Sequence, residues 1–361
     1  MHSTLDLSEL NSKIGRLFMA GIPEPQLDPD TEILIRDYCL GGVILFGRNI
    51  ENPVQLAKLC NDLQEIAMKY HGTPLFLAVD QEGGPVSRFK EPFTRFPGNK
   101  AIGEDQMSVD RAAEFARVTA KEMGLVGLNM NMAPVVDVQA GQPEKHLAGR
   151  MFSDDPEKVA LLGETVVREF QGKGIMAVAK HFPGLGKSPL DPHHHLPTID
   201  MGEKEMEENN LPPFRAVIAE NVCAIMTSHA IYPTLDPHLP ATISEKVLTG
   251  LLRETLGFRG LIITDDLEMG AIEKKRGVAN GAAAAFEAGA DILLICKDQN
   301  LVLESLNILR RKLIRDEIPF QRLEQSVGRI MKAKSRFLKK IKKVSIEEVR
   351  EYFGLLENGN N

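Results

Sequence analysis

The chain contains no apolar stretch approaching the roughly 18 to 20 residues that a bilayer-spanning helix needs. Its N-terminal residues show no basic leader followed by a long apolar segment. A soluble, cytoplasmic protein without a membrane partner is therefore expected. Cysteine is scarce as well: Cys39, Cys60, Cys223 and Cys296 are the only four in 361 residues, widely spaced and mostly in apolar runs. They offer neither a zinc-binding spacing nor a Cys-x-x-Cys pair, and they read as buried, reduced thiols. Positive charge is in deficit, with 43 Lys and Arg against 50 Asp and Glu and a net charge of -7. That excludes a nucleic-acid partner of the usual kind, because phosphate contacts need a basic face. No Pro/Gly/Ser-rich linker divides the chain and no internal repeat is visible. A single domain over residues 1–361 is favoured, with a core at about residues 10–340 and closing helices over 300–356.

What the chain does contain is a series of short apolar runs. They cover residues 17–22, 42–46, 75–79, 128–138, 175–179, 222–227, 261–264 and 291–296. Amphipathic helical patterns separate them. Residues 156–170 are one example, where Val159, Leu162, Val166, Val167 and Phe170 share a face, Asp155 can cap the start and Pro156 suits the first turn. Alternating strands and helices imply parallel pairing with right-handed crossovers. Eight units in this length fit a (β/α)8 TIM-type barrel better than the alternative, an open doubly wound sheet. In such a barrel, active sites lie at the C-terminal strand ends.

The residues that follow each run are unusually polar. Asp80, Gln81 and Glu82 follow the third, Asp137 ends the fourth, and Lys180 and His181 follow the fifth. Ser228 and His229 follow the sixth, Asp265 and Asp266 the seventh, and Lys297 the eighth. Titratable groups thus converge on one face. The densest stretch is Lys180-His181-Phe182-Pro183-Gly184-Leu185-Gly186, with Asp191-Pro192-His193 just after it. Asp191 and His193, two apart in an extended loop, can lie on one side, so that the carboxylate orients the imidazole for proton transfer.

Plainer readings stand beside these. Asp80-Gln81-Glu82-Gly83-Gly84 could be an ordinary polar turn, although Arg88 lies within reach if the loop folds back. The Asp265-Asp266 pair could be a helix cap, or one carboxylate could face the barrel mouth as a nucleophile or cation ligand while the other turns aside. His193, His194 and His195 in a row splay alternately, which argues against a metal site. Gly184-Leu185-Gly186-Lys187-Ser188 hints at a phosphate loop, but the first glycine of that motif would fall on His181. The lysine-rich residues 332–343 read as a solvated helical face, and the alanine run at 282–285 as a tightly packed helix.

Taken in order, five segments resemble the β-N-acetylglucosaminidases of glycoside hydrolase family 3, specifically the single-domain bacterial enzymes of peptidoglycan recycling. They are Asp80-Gln81-Glu82-Gly83-Gly84 with Arg88; Ala133-Pro134-Val135-Val136-Asp137-Val138; Gly149-Arg150-Met151-Phe152 before Asp155-Pro156; Lys180-His181-Phe182-Pro183-Gly184; and Thr264-Asp265-Asp266-Leu267-Glu268-Met269. The resemblance covers residues 17–337. It implies a retaining exo-hydrolase for terminal β-linked N-acetylglucosamine, a monomer needing no cofactor or metal, acting on small N-acetylglucosamine-containing muropeptide fragments. By position it implies Asp265 as nucleophile, His193 as acid/base with Asp191 as its partner, and Asp80, Arg88, Arg150, Lys180 and His181 as sugar-binding residues. Three positions depart from the family pattern. Leu185 stands where a histidine is usual, Pro192 where a serine is usual, and Pro85 where an arginine is usual. A phosphorylase using the same covalent intermediate and a non-catalytic amino-sugar binder on the same scaffold are the alternatives.

Overall fold

The computed structural model describes residues 7–141, 144–339 and 342–355. Eight short parallel strands form one sheet: β1 (Phe18–Gly21), β2 (Gly42–Leu45), β3 (Phe76–Val79), β4 (Met130–Asn131), β5 (Met176–Phe182), β6 (Ala224–Thr227), β7 (Leu261–Ile263) and β8 (Leu293–Ile295). Neighbours in sequence pair in register around the sheet, and β8 pairs back onto β1 through Phe18–Leu293 and Met19–Leu294. The remaining seam, between β7 and β8, is joined by an Ile263–Ile292 bridge and by the Thr264 N–H donating to the Ile292 carbonyl at 3.0 Å. The sheet is a (β/α)8 barrel. Helices outside it follow the strands in turn, among them Pro53–His71, Ser108–Leu125, Pro156–Gly172, Leu211–Ala219 and Val278–Ala288.

Strand burial explains why the runs are continuously apolar. Each is covered by helices on one side and by barrel-interior side chains on the other, so Val43, Ile44, Leu45, Phe76, Leu77, Ala78 and Val79 are all buried. The helices begin where a short polar side chain can satisfy free N–H groups. Asp155 accepts from the N–H groups of Glu157 and Lys158, Asn52 from Gln55 and Asp28 from Thr31, each with Pro in the first turn. In the helix Pro156–Gly172 the apolar stripe is buried as its 3.6-residue spacing predicts: Val159, Leu162, Val166, Val167 and Phe170 are all inaccessible.

Three elements differ from the sequence reading. The run at 128–138 gives only a two-residue strand, because Pro134 has no N–H for the ladder. Side chains make up the pairing instead: Asn129 accepts from the Leu77 N–H at 2.9 Å and Asn131 from the Gln81 N–H at 3.0 Å. Beyond Pro134, the Val136 N–H reaches the Lys180 carbonyl at 2.8 Å. The fifth strand runs on through Lys180 and His181, so those residues are part of the strand and not of the loop after it. The lysine-rich segment is not uniformly solvated. Lys334 is buried under the barrel, its ammonium donating to the Gly41 carbonyl at 2.9 Å and lying 4.9 Å from the Phe76 ring centroid. Burial pushes its pKa down to about 7.

The four cysteines are buried and unpaired. Among the described residues no helix is long and apolar enough to cross a membrane. Residues 1–6 and 356–361, at the two ends of the expected domain, lie outside the described residues.

Candidate active site

At the C-terminal ends of the strands, a cavity of about 250 Å³ opens among Asp80, Glu82, Arg88, His146, Arg150, Lys180, His181, His193, Asp265 and Asp266, with Ile44, Phe46, Met226 and Leu294 among the apolar residues of its wall. A larger cleft, about 460 Å³, lies at the other end of the barrel, beside the residues that precede β4 and β5, and holds none of the expected site residues. The smaller cavity, where the expected residues meet, is therefore the candidate site.

Its floor is an ion-pair network. Lys180, on β5, donates to Asp80 at 2.8 Å and lies 2.7 Å from Glu82. Arg150 grips Glu82 with two parallel hydrogen bonds of 2.9 Å, and Arg88 lies 3.5 Å from Asp80. Burial would drive the Glu82 carboxyl toward its neutral form, but Lys180 and Arg150 outweigh it and hold the pKa at about 2. Burial would likewise discharge Lys180, yet Asp80 and Glu82 keep its pKa above the ordinary value. Glu82, Lys180 and Arg150 thus hold one another in their charged forms.

His181 projects beside this network. Its Nδ1 lies 2.7 Å from Asp137, a fully buried carboxylate that also accepts the backbone N–H groups of His181 and Leu185. With Nδ1–H donating to Asp137, Nε2 is left for the cavity. The Leu185 departure thus takes no backbone contact away, since its N–H, 2.7 Å from Asp137, still holds the loop.

Asp265 sits one residue past Thr264, at the end of β7. Burial would raise its pKa; His181, His229, the Asp266 N–H and Lys180 together reverse that and hold it below the ordinary carboxylate value. The Asp266 N–H donates to its Oδ1 at 2.8 Å, fixing the side chain. The neighbouring Asp266 behaves oppositely. Burial, with Glu268 and Asp265 nearby, pushes its carboxyl up to about 7, although it accepts the Glu268 N–H at 3.1 Å. Adjacent carboxylates are therefore separated by environment, one anionic and one half-protonated near neutrality. His229, buried between Thr242 and the Asp266 carbonyl at 2.7 and 2.9 Å, has its pKa lowered by burial and braces this turn.

The Asp191–His193 pair forms as its spacing suggests. Asp191 Oδ1 accepts from the His193 backbone N–H at 3.0 Å and lies 2.6 Å from Nδ1. Burial would raise the Asp191 pKa, but those contacts outweigh it and hold it low. The His193 side chain is 57% exposed, so the pair stands at the mouth and not on the floor. The loop is pinned to the start of the helix Gly270–Arg276. Gly270 and Ala271 donate to the carbonyls of His193 and Pro192, and Lys274 to that of His194. A Cβ on Gly270 would lie 3.0 Å from the His193 carbonyl, so a larger residue would make the loop give by a few tenths of an ångström. Gly186, once suggestive of a phosphate loop, is explained similarly, since a Cβ there would stand 1.8 Å from the Val138 carbonyl.

All the site residues read from the sequence meet here except Asp191, which stands just behind His193. The structure also brings Glu82 and His146 to the cavity wall and sets Asp137 against His181 and His229 against Asp266, four residues to which the sequence reading gave no catalytic or binding role. Glu82 was legible as a second carboxylate in its turn, and Asp137 and His229 as strand-end groups; His146 carried no signal. Among the described residues no cluster of His, Cys, Asp and Glu is arranged to hold a metal.

Comparison with known proteins agrees with the barrel fold and with the family resemblance. The profile of the glycosyl hydrolase family 3 N-terminal domain matches residues 9–333. A β-hexosaminidase of Nitrosomonas eutropha is 37% identical over 75% of this chain and 78% of its own length. A family 3 β-N-acetylglucosaminidase from Paenibacillus sp. FPU-7 superposes with a TM-score of 0.90 and 37% identity over 97% of this chain and 68% of its own. NagZ from Neisseria gonorrhoeae, solved in complex with N-trifluoroacetyl-D-glucosamine, superposes with a TM-score of 0.78 and 31% identity over 94% of each chain.

Proposed function

The chain belongs to glycosyl hydrolase family 3, and on that premise we propose that it is a retaining exo-β-N-acetylglucosaminidase built as a single barrel domain. The observation that carries the reading is the meeting, in one small cavity, of an ionised and fixed Asp265 with a carboxylate-oriented His193 above an ionised floor. Asp265 attacks the anomeric carbon and forms a covalent glycosyl-enzyme. His193, held by Asp191, protonates the departing oxygen and then takes a proton from the incoming water. A histidine here takes the role that most glycosidases give to a second carboxylate.

Lys180, Arg150, Asp80, Arg88 and His181 hold the terminal sugar by its hydroxyl and acetamido groups, contributing orientation. Because Asp80, Glu82 and Asp265 balance Lys180, Arg150 and Arg88 in the same cavity, the site suits a neutral sugar better than a free phosphate. This favours water over phosphate as the acceptor. The likeness of the five sequence segments to peptidoglycan-recycling enzymes supports muropeptide fragments ending in β-linked N-acetylglucosamine as substrates.

The test is steady-state hydrolysis of 4-nitrophenyl N-acetyl-β-glucosaminide by the native protein and Asp265→Ala, with and without added phosphate. Turnover abolished by the substitution and indifferent to phosphate is expected. Phosphate acceleration with release of a sugar 1-phosphate would make it a phosphorylase. Binding of N-acetylglucosamine by a folded protein that hydrolyses nothing would make it a sugar sensor.

A further inference from the structure

Both ring nitrogens of His146 are shielded from solvent, yet no described residue supplies a hydrogen-bond partner to either of them. Buried polar atoms without partners are uncommon and costly, so their retention at a cavity wall calls for a ligand that satisfies them. His146 is on that wall. Its carbonyl accepts from Arg150 Nη1 at 3.0 Å, so the turn that carries it is anchored on the same guanidinium that grips Glu82. Its ring stands 6.5 Å, centroid to centroid, from that of His193 at an interplanar angle of 77°.

These contacts fix its level in the site. The side chains of Lys180 and Glu82 are 3% and 1% exposed and form the floor, where the terminal sugar is held. His193 is at the mouth, and its ring must reach the glycosidic oxygen. A group beside His193 and above Arg150 therefore faces the leaving group and not the sugar being released. No hydrogen bond holds the His146 ring in this orientation, so none is lost when a nitrogen turns toward the cavity.

We infer that His146 is a specificity residue on the leaving-group side of the cleft, hydrogen-bonding a hydroxyl of the sugar that departs. This rests on the glycosidase reading above. Burial lowers the His146 pKa, with Asp191 opposing and Arg150, His181 and His193 reinforcing the shift. A neutral imidazole has one donor and one acceptor nitrogen, which matches a hydroxyl that both accepts and donates.

The experiment compares kcat/KM for two substrates, 4-nitrophenyl N-acetyl-β-glucosaminide, whose leaving group has no hydroxyl to offer, and N,N′-diacetylchitobiose, whose leaving group is a sugar. His146→Ala should lower kcat/KM on the disaccharide about tenfold, the value of one hydrogen bond, while changing the aryl glycoside less than about twofold. His146→Asn, which retains a donor and an acceptor, should recover part of the disaccharide rate. Parallel losses on both substrates, or no loss on the disaccharide, would overturn the inference while leaving the glycosidase reading intact. A native protein that hydrolyses neither substrate would remove that reading and this inference with it.

Discussion

Replacing Glu82 by Gln removes one negative charge from a network where three cations, Lys180, Arg150 and Arg88, already share two anions. Its side chain is 1% exposed and takes three short contacts, two from Arg150 at 2.9 Å and one from Lys180 at 2.7 Å. The carboxyl pKa is held at about 2 against an ordinary 4.5, a difference equivalent to roughly 3 kcal/mol in favour of the ionised form. Gln keeps one acceptor, but it turns an N–H₂ toward a cation and leaves Lys180 and Arg150 with Asp80 as their nearest counter-charge. Losing one member of a buried pair typically costs about 3–5 kcal/mol. The expected loss is therefore about 3 kcal/mol at pH 7, or about 4 °C in Tm for a chain of this length.

Urea denaturation followed by far-UV circular dichroism measures that loss directly. Because the folded pKa is depressed, Glu82 contributes its full stability above the unfolded value of 4.5 and loses it as pH falls toward 2. The gap between native and Glu82→Gln should thus be constant from pH 7 to about 5 and narrow only below that. A variant within about 0.5 kcal/mol of native at pH 7, or a gap that closes already near pH 6, would refute the reasoning.

Two further outcomes follow from named contacts. His193→Ala should lower kcat on N,N′-diacetylchitobiose by about 10²–10⁴-fold and affect a 4-nitrophenyl glycoside, whose leaving group hardly needs protonation, much less; equal losses on both substrates would deny His193 the acid role. Lys334→Met keeps the apolar stem but removes an ammonium whose pKa is pressed down to about 7. A base with a depressed folded pKa makes the native protein gain stability as pH rises from about 7 toward 10.5. The variant should therefore match or exceed native stability at pH 7, with its relative advantage shrinking by pH 9.5, and a pH-independent difference would show that Lys334 is not buried in its charged or neutral form as described.

The barrel was legible because parallel strands buried on both faces must be apolar throughout, and eight such runs alternate with amphipathic helices. Strand-end placement then assembled Asp80, Lys180, His181 and Asp265 before any fold was visible. What stayed hidden has identifiable causes. Arg88 and Arg150 lie on loops, where no periodicity constrains direction: Arg88 was within reach of the mouth only if its loop folded back, and only the family resemblance pointed to Arg150. The early end of β4 comes from Pro134 together with Asn129 and Asn131, whose side chains substitute for ladder hydrogen bonds. Lys334 was misread because its neighbours are solvated lysines and only the barrel's underside distinguishes it. His146 has no motif around it; its interest lies in the partners it lacks, which only three-dimensional packing reveals.

The most direct test of the account is the anomeric form of the sugar first released, followed by proton NMR during hydrolysis of 4-nitrophenyl N-acetyl-β-glucosaminide by the native protein. A retaining enzyme acting through a covalent link to Asp265 releases the β-anomer first, with the α-anomer appearing later by mutarotation, and Asp265→Ala releases none. Initial release of the α-anomer, or undiminished release by Asp265→Ala, would contradict the covalent mechanism and Asp265's place in it.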